Sequence, residues 1–225
     1  MYTLTLILNI KKDARNRRNA CNKISHGVNR REKIDKEIAD KITNKTEEEA
    51  YNFLIPYLEN LYKNNEVNIN NTIKFGQETI NKNINNACKK LEEITNTKIY
   101  RQDFVGYITT FPRGPYNKEN GYIRLYYNRS IKYYIGFFLH ELLHFQFIHY
   151  FSNHPSIIVL NNDQFEFLKE SLTFILNYEF KEFLGKEDMG YAIHQELRKK
   201  LALYREANKN FEELIIYGAN ILKKK

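Results

Sequence analysis

Hydrophobic and polar positions alternate at the start of the chain. Within residues 1–10, every second position from the fourth onward is apolar: Leu4, Leu6, Leu8 and Ile10. A period of two is typical of a β-strand with one buried face. No basic region precedes this stretch and no small-residue cleavage site follows it, so we expect a strand rather than a secretory signal.

A helical period follows a polar, basic stretch. Apolar residues recur at spacings of three and four across residues 33–63, which predicts helix. Thr46 followed by Glu49 has the pattern of a capping box, so we expect two helices with a break at residues 43–45. Residues 75–94 predict another helix, and residues 60–71, rich in asparagine, are expected to form the connector before it.

The pattern changes near residue 98. Residues 104–111 and 122–127 are rich in β-branched and aromatic side chains, and proline, glycine and asparagine separate them. We expect two strands joined by a long turn. Residues 131–151 are apolar on nearly every side, which predicts a buried helix. Further helices are predicted over residues 163–184, 189–204 and 207–222.

This order of elements predicts an α+β fold in a single domain spanning residues 1–225. The first part, residues 1–98, would supply one strand and several helices. The second part, residues 99–225, would supply two strands and a largely helical C-terminal half. No stretch of 18 or more apolar residues occurs, so no membrane-spanning helix is expected.

The predicted buried helix contains the HExxH motif His140-Glu141-Leu142-Leu143-His144. Residues four apart lie one turn apart on the same face of a helix, so both imidazoles can reach one metal ion. Glu141 lies about 100° round the helix from His140, beside the metal, where it can take a proton from a water. Burying these polar groups among apolar residues is costly without a partner such as a metal.

A catalytic zinc ion usually has three protein ligands, so a third must come from elsewhere in the chain. The predicted helix over residues 163–184 carries a polar stripe at spacings of three and four that contains no lysine or arginine. The stripe consists of Glu166, Glu170, Thr173 and Asn177. Either a solvated face or the wall of a cleft would give this stripe, and either glutamate is a candidate for the third ligand.

The sequence resembles the zincin metallopeptidases, and among them the gluzincin type, in which a glutamate on the next helix follows HExxH. The matching stretches are HELLH at residues 140–144 and KESLT at residues 169–173. The resemblance implies zinc held by His140, His144 and Glu170, with Glu141 as general base and a peptide or protein as substrate. It also implies a small mixed sheet packed on the HExxH helix. It covers residues 104–194.

Hydrolysis also needs a group that stabilises the developing oxyanion, and zincins often use a tyrosine or a histidine for this. Tyr191 and His194 are three residues apart in a predicted helix, so both could face the cleft. Tyrosine is abundant in this chain, and packing is the alternative role for Tyr191. These two residues complete the set of candidate site residues.

Net charge adds a second candidate function. The chain of 225 residues carries 35 Lys and Arg against 27 Asp and Glu, a formal charge of +8. Residues 11–45 hold 12 of the basic and 5 of the acidic side chains, which is +7, so the remainder carries +1. The basic stretch makes nucleic acid a possible partner. With two cysteines and no export signal, we expect a cytoplasmic protein.

Three hypotheses are therefore open. The first is a zinc-dependent hydrolase, with a peptide or another bond as its target. The second is a non-catalytic or regulatory zinc-binding module, in which Glu166 or His194 would supply a fourth ligand. The third is a protein that binds nucleic acid through residues 11–45.

Overall fold

A computed structural model describes residues 1–23 and 29–224, so part of the basic stretch, residues 24–28, lies outside the described residues. The fold is α+β. Its contacts divide the chain into two compact units, and the expectation of a single domain stays a prediction. The first unit contains Met1–Thr3, Thr79–Gln102 and Lys132–Lys225, and the second contains Leu4–Glu78 and Asp103–Ile131.

The second unit contains most of β1 together with three helices and two further strands. Thr46 forms the predicted capping box, since its side chain accepts a hydrogen bond from the Glu49 backbone and Glu49 bonds back to the Thr46 backbone. The predicted strand at the N-terminus and the predicted helix break after residue 42 are confirmed. The elements are β1 (Thr3–Leu8), α1 (Ile10–Asn22), α2 (Lys36–Ile42), α3 (Glu47–Asn64), β2 (Asp103–Thr109) and β3 (Tyr122–Tyr126).

Within the described residues, the strands form a parallel sheet in the order β1-β2-β3. Val105 pairs with Tyr122 and Thr109 with Tyr126 in parallel register. The expected mixed sheet is therefore wrong, and residues 110–121 form a crossover rather than a hairpin turn. Parallel strands need a connection of about a dozen residues, which this segment supplies.

The helices of the second unit pack around small and branched side chains. α1 lies against α3, and both contribute to a core that includes Ala14, Leu54 and Leu58. No helix was predicted over residues 10–22, because charged side chains obscure their apolar face. Asn9 caps α1 by accepting a hydrogen bond from the Lys12 backbone.

The first unit is helical. α4 (Glu66–Thr95) reaches it from Thr79 onward, and it includes the second half, residues 66–71, of the asparagine-rich stretch that the sequence predicted as a connector. Asparagine has a modest helix propensity, and here buried residues such as Ile69 and Ile80 outweigh it. The other helices are α5 (Tyr134–Phe151), α6 (Asn162–Leu172), α7 (Ile175–Glu179), α8 (Lys181–Leu184), α9 (Gln195–Ala207) and α10 (Phe211–Lys223).

Two of the predicted C-terminal helices differ from the observed ones. The helix predicted over residues 163–184 is three helices, α6 to α8, because the chain tightens after Leu172 and again at Phe180. Gly185 ends α8 with a φ of +60°, as the sequence suggested. The helix predicted from residue 189 begins at Gln195, after a 3-10 turn over Ala192–His194.

α5 is buried along almost its whole length, as its composition predicted. Phe138, Leu142 and Phe145 are fully enclosed, and α6 packs against α5, α9 and α10. Among the described residues, we find no helix that is both long enough and apolar enough to cross a membrane.

Candidate metal centre

α5 brings the two histidines of the motif together. His140 and His144 lie one turn apart, and their Nε2 atoms are 3.0 Å from each other. Their rings meet edge to face, with centroids 4.6 Å apart. His144 is completely buried, whereas His140 keeps a partly exposed edge. Two imidazole nitrogens that point at one spot are typical of a shared metal ion.

α6 adds a carboxylate to this pair. Glu170 Oε1 lies 3.3 Å from His144 Nε2, and Glu170 Oε2 lies 3.9 Å from His140 Nε2. Among the described residues, these three side chains form a group whose donor atoms all lie within 4.8 Å of one another. Glu166, the other candidate, is not in the group, since it is half-exposed and bonds Lys169 Nζ at 2.6 Å.

The spacing of the donors fits a zinc ion. Ligand atoms placed tetrahedrally about zinc at about 2.0–2.1 Å are roughly 3.3 Å apart. The observed separations of 3.0, 3.3 and 3.9 Å bracket that value. Two histidines and one glutamate are also a donor set that catalytic zinc sites use. The residues present therefore suit a metal ion, and zinc is one that such a donor set binds.

Asp188, from the loop after α8, holds the ring of His140. Its Oδ2 lies 2.5 Å from His140 Nδ1. An ionised carboxylate only accepts hydrogen bonds, so Nδ1 must carry the proton and donate it. In the neutral ring, Nε2 then presents its lone pair toward His144 and Glu170. A carboxylate that orients a ligating histidine in this way is a common feature of metal sites.

Arg198, on α9, bonds the two residues that hold the proposed ligands in place: Asp188, which bonds His140, and Thr173, which bonds the Glu170 backbone. Its Nη1 donates to Thr173 Oγ1 at 2.7 Å and to Asp188 Oδ1 at 3.3 Å, and its Nη2 donates to the Asp188 carbonyl at 2.6 Å. Thr173 in turn donates to the Glu170 carbonyl at 2.9 Å. The guanidinium is buried, so this network is shielded from water.

Asn177 fixes the Asp188 loop from α7. Its Nδ2 donates to the Asp188 carbonyl at 2.9 Å, and its Oδ1 accepts from the Asp188 amide at 2.7 Å. Three members of the polar stripe, Glu170, Thr173 and Asn177, thus contribute to the site or to its support. Only its first member, Glu166, lies at the solvent-exposed end.

Glu141 is buried beside the two histidines, on the same helix. Within the described part of the chain, its Oε2 has no hydrogen-bond partner. A buried, unsatisfied carboxylate oxygen is costly, and such groups are expected where they have a chemical task.

The charges around the site shift the pKa values of its side chains. Burial opposes protonation of His140, but the charge and hydrogen bond of Asp188 outweigh it and raise the His140 pKa to about 9. Burial and the charge of His140 lower the His144 pKa to about 4. Burial raises the Glu141 pKa to about 8. Burial opposes ionisation of Glu170, but its hydrogen bond to His144 lowers the Glu170 pKa. These values describe the protein groups alone.

Tyr191 and His194 are close to each other but are not part of the group of three donors. Tyr191 has an extended backbone and precedes the 3-10 turn, so the two do not share a helix face as the sequence predicted. Their ring centroids are 5.5 Å apart, and the His194 ring also meets Phe167 at 4.5 Å. His194 is buried, and a catalytic role for either residue stays a prediction.

Comparison of the chain with protein-family models, with curated proteins and with solved structures gives no match. The geometry of the site therefore carries the functional argument. No role was predicted for Asp188 or Arg198 from the sequence. Asp188 lies in an irregular loop, where no periodicity marks a residue, and Arg198 is one of many basic residues on an amphipathic helix.

Proposed function

We propose that the protein is a zinc-dependent hydrolase, and most specifically a metallopeptidase of gluzincin-like type. The observation that supports this is the convergence of His140, His144 and Glu170 beside a buried Glu141. His140 and His144 would hold zinc through Nε2, and Glu170 through its carboxylate. A bound zinc ion lowers the pKa of a coordinated water and polarises a carbonyl group.

Glu141 carries the proton transfers. Its carboxylate takes a proton from the attacking water and returns it to the leaving amine. The free Oε2 atom leaves room for a hydrogen bond to that water. A zinc ion beside Glu141 would favour its ionised form, which the first proton transfer needs. Tyr191 and His194 are the proposed oxyanion-stabilising candidates.

The number of ligands favours catalysis over a structural role for zinc. Structural zinc sites are usually closed by four protein ligands, and catalytic sites keep a position open. Among the described histidine, cysteine, aspartate and glutamate residues, the group holds three donors. Neither proposed fourth ligand belongs to this group, and Glu166 instead bonds Lys169.

A peptide or protein is the proposed substrate, and the cytoplasm is the proposed location. An activated water would also attack carbonyl groups other than that of an amide, such as those of esters. The test must therefore include both peptides and simple esters. Nucleic acid stays a proposed partner of the basic stretch, residues 11–45.

The test compares the wild type with Glu141→Gln on a diverse peptide mixture, with products read by mass spectrometry and zinc measured in both proteins. We expect cleavage by the wild type, a loss of at least roughly a hundredfold in Glu141→Gln, and equal zinc content. Glu206→Gln, at an exposed position of α9 outside the donor group, is the control with the same change of charge and should keep full activity. Full activity in Glu141→Gln would refute the assigned role. Cleavage of esters but of no peptide would refute the peptidase assignment alone.

A further inference from the structure

Lys169, on α6, is a buried positive charge beside the metal centre. Its side chain is 2% exposed, and its Nζ lies 3.7 Å from Glu170 Oε1. The same oxygen lies 3.3 Å from His144 Nε2. A lysine is therefore paired with the carboxylate oxygen that would take part in metal binding.

A buried lysine at this position needs an explanation. Lysine is almost never fully buried unless it is paired, and a cation beside a metal ligand repels the metal ion. Two neighbouring positions of α6 that pack in the core, Leu168 and Leu172, are apolar. An apolar side chain would serve burial as well or better, so the charge of Lys169 calls for a role of its own.

Glu166, one turn before Glu170, binds Lys169 at the more exposed end of the group. Its Oε2 lies 2.6 Å from Lys169 Nζ, and its side chain is 45% exposed. Residues three apart in a helix are neighbours, so α6 itself brings this pair together. The charge of Lys169 is thus shared between two carboxylates, of which one is half-exposed and the other contacts His144.

The contact between Lys169 and Glu170 is electrostatic. A separation of 3.7 Å is too long for a hydrogen bond, so the lysine does not occupy the lone pairs of Glu170 Oε1. Burial opposes ionisation of Glu170, but its hydrogen bond to His144 and the charges of its neighbours, including Lys169, lower the Glu170 pKa. Glu170 is therefore an ionised donor, and a buried cation balances part of its charge.

We propose that Lys169 acts on the metal centre through Glu170 and limits how tightly this carboxylate binds a metal ion. The inference rests on the proposed function, because it takes Glu170 as a metal ligand. A nearby cation weakens the attraction between a carboxylate and a divalent ion, and little water screens the charges at a buried site. Glu170 then also gives less negative charge to the metal, which leaves the metal better able to polarise a carbonyl group.

The first test compares zinc affinities, measured by competition with a chelating dye, in the wild type and in Lys169→Met. We expect Lys169→Met to bind zinc about tenfold more tightly, because the competing cation is gone. A damaged fold would weaken zinc binding, so a gain in affinity is specific to this role. Lys200→Met is the matched control, since Lys200 also pairs with a glutamate on its own helix, Glu196 at 2.7 Å, and should bind zinc as the wild type does. Equal or weaker binding by Lys169→Met would overturn the proposal.

Glu166→Gln tests the same charge from the opposite direction. This change at a half-exposed position removes one of the two carboxylates that balance Lys169, so zinc should bind severalfold more weakly. In the Lys169→Met background it should have a smaller effect, since no lysine charge remains to be balanced. Glu206→Gln, exposed on α9, is the control and should leave zinc affinity unchanged. If Lys169→Met fails to fold, Glu166→Gln decides, and unchanged or tighter zinc binding would overturn the proposal.

The proposed function and the role of Lys169 fail in different ways. A wild type that binds no zinc would refute both, whereas equal zinc affinity in the wild type and Lys169→Met would refute the role of Lys169 alone. With excess zinc filling both proteins, Lys169→Met should cleave peptides with a severalfold lower kcat, because Glu170 then gives more charge to the metal. An unchanged kcat would refute this effect on the metal. If the wild type cleaves no peptide, the peptidase assignment fails and the zinc affinities still test Lys169.

Discussion

His140 uses its two ring nitrogens for different purposes. Nδ1 bonds the carboxylate of Asp188 at 2.5 Å, while Nε2 faces His144 and Glu170. The motif spacing alone predicted that His140 would face the same spot as His144. It could not predict which nitrogen would do so, because the tautomer depends on Asp188, which lies 48 residues further along the chain.

The hydrogen bond between His140 and Asp188 gives a prediction about a single residue. Asp188→Asn should weaken zinc binding by about 10–100-fold, since the amide accepts a weaker hydrogen bond and no longer fixes the tautomer. Competition with a chromophoric chelator measures the affinity. Glu187→Gln, an exposed neighbour with the same change of charge, is the control and should bind zinc as the wild type does. Unchanged affinity in Asp188→Asn would contradict the assigned role.

At the scale of elements, the metal centre depends on three helical segments that meet. α5 supplies the histidines, α6 supplies Glu170, and α9 supplies Arg198, which bonds both Thr173 and Asp188. The patterns predicted α5 and the polar stripe of α6, because both have a clear helical period. The break after Leu172 was missed, because the apolar period of residues 163–184 continues through it.

Replacing Arg198 tests whether the contacts between these helices affect zinc affinity. Arg198→Met should lower zinc affinity roughly tenfold and also lower stability, because Asp188 and Thr173 both lose a donor. Arg205→Met is the matched control, since Arg205 is also buried on α9 and pairs with Glu179, away from the network. It should lower stability without changing zinc affinity. Equal losses of affinity in both variants would show that Arg198 acts only on folding.

Gly185 gives a prediction about how α8 ends. Its φ is +60°, and an added Cβ would lie 2.7 Å from the Lys132 carbonyl oxygen, a backbone atom that cannot move aside easily. Gly185→Ala should therefore cost about 1–2 kcal/mol of unfolding free energy from the left-handed backbone, and more from the contact. Urea denaturation measures the loss. Lys186→Ala, next to it and exposed, should stay near the wild type, and a stable Gly185→Ala would contradict this account.

At the scale of the whole molecule, local patterns predicted the elements better than their pairing. β2 and β3 were expected from their composition. Their parallel register pairs residues 17 apart, such as Val105 and Tyr122, and no local sequence pattern predicts the crossover that this pairing needs. The same limit applies to Asp13 and Thr110, whose hydrogen bond joins distant segments. Contacts of this kind are decided by packing, which a single sequence does not display.

The distribution of basic residues is also a property of the whole molecule. The excess of basic residues was located in residues 11–45 from the sequence. In the structure, two of these basic residues pair with acids, Arg15 with Glu47 and Arg31 with Asp40, each at 2.9 Å. The metal centre lies in the first unit, and Arg15 and Arg31 lie in the second.

The most direct test of the central claim is the metal content of the purified wild type and of His144→Ala. His144 is fully buried, and its Nε2 lies 3.0 Å from His140 Nε2 and 3.3 Å from Glu170. Removing this ligand should abolish stoichiometric binding. We predict one equivalent of zinc in the wild type and none in His144→Ala, with circular dichroism confirming that the variant is folded. Absence of zinc from the wild type after reconstitution, or equal zinc in both proteins, would contradict the account.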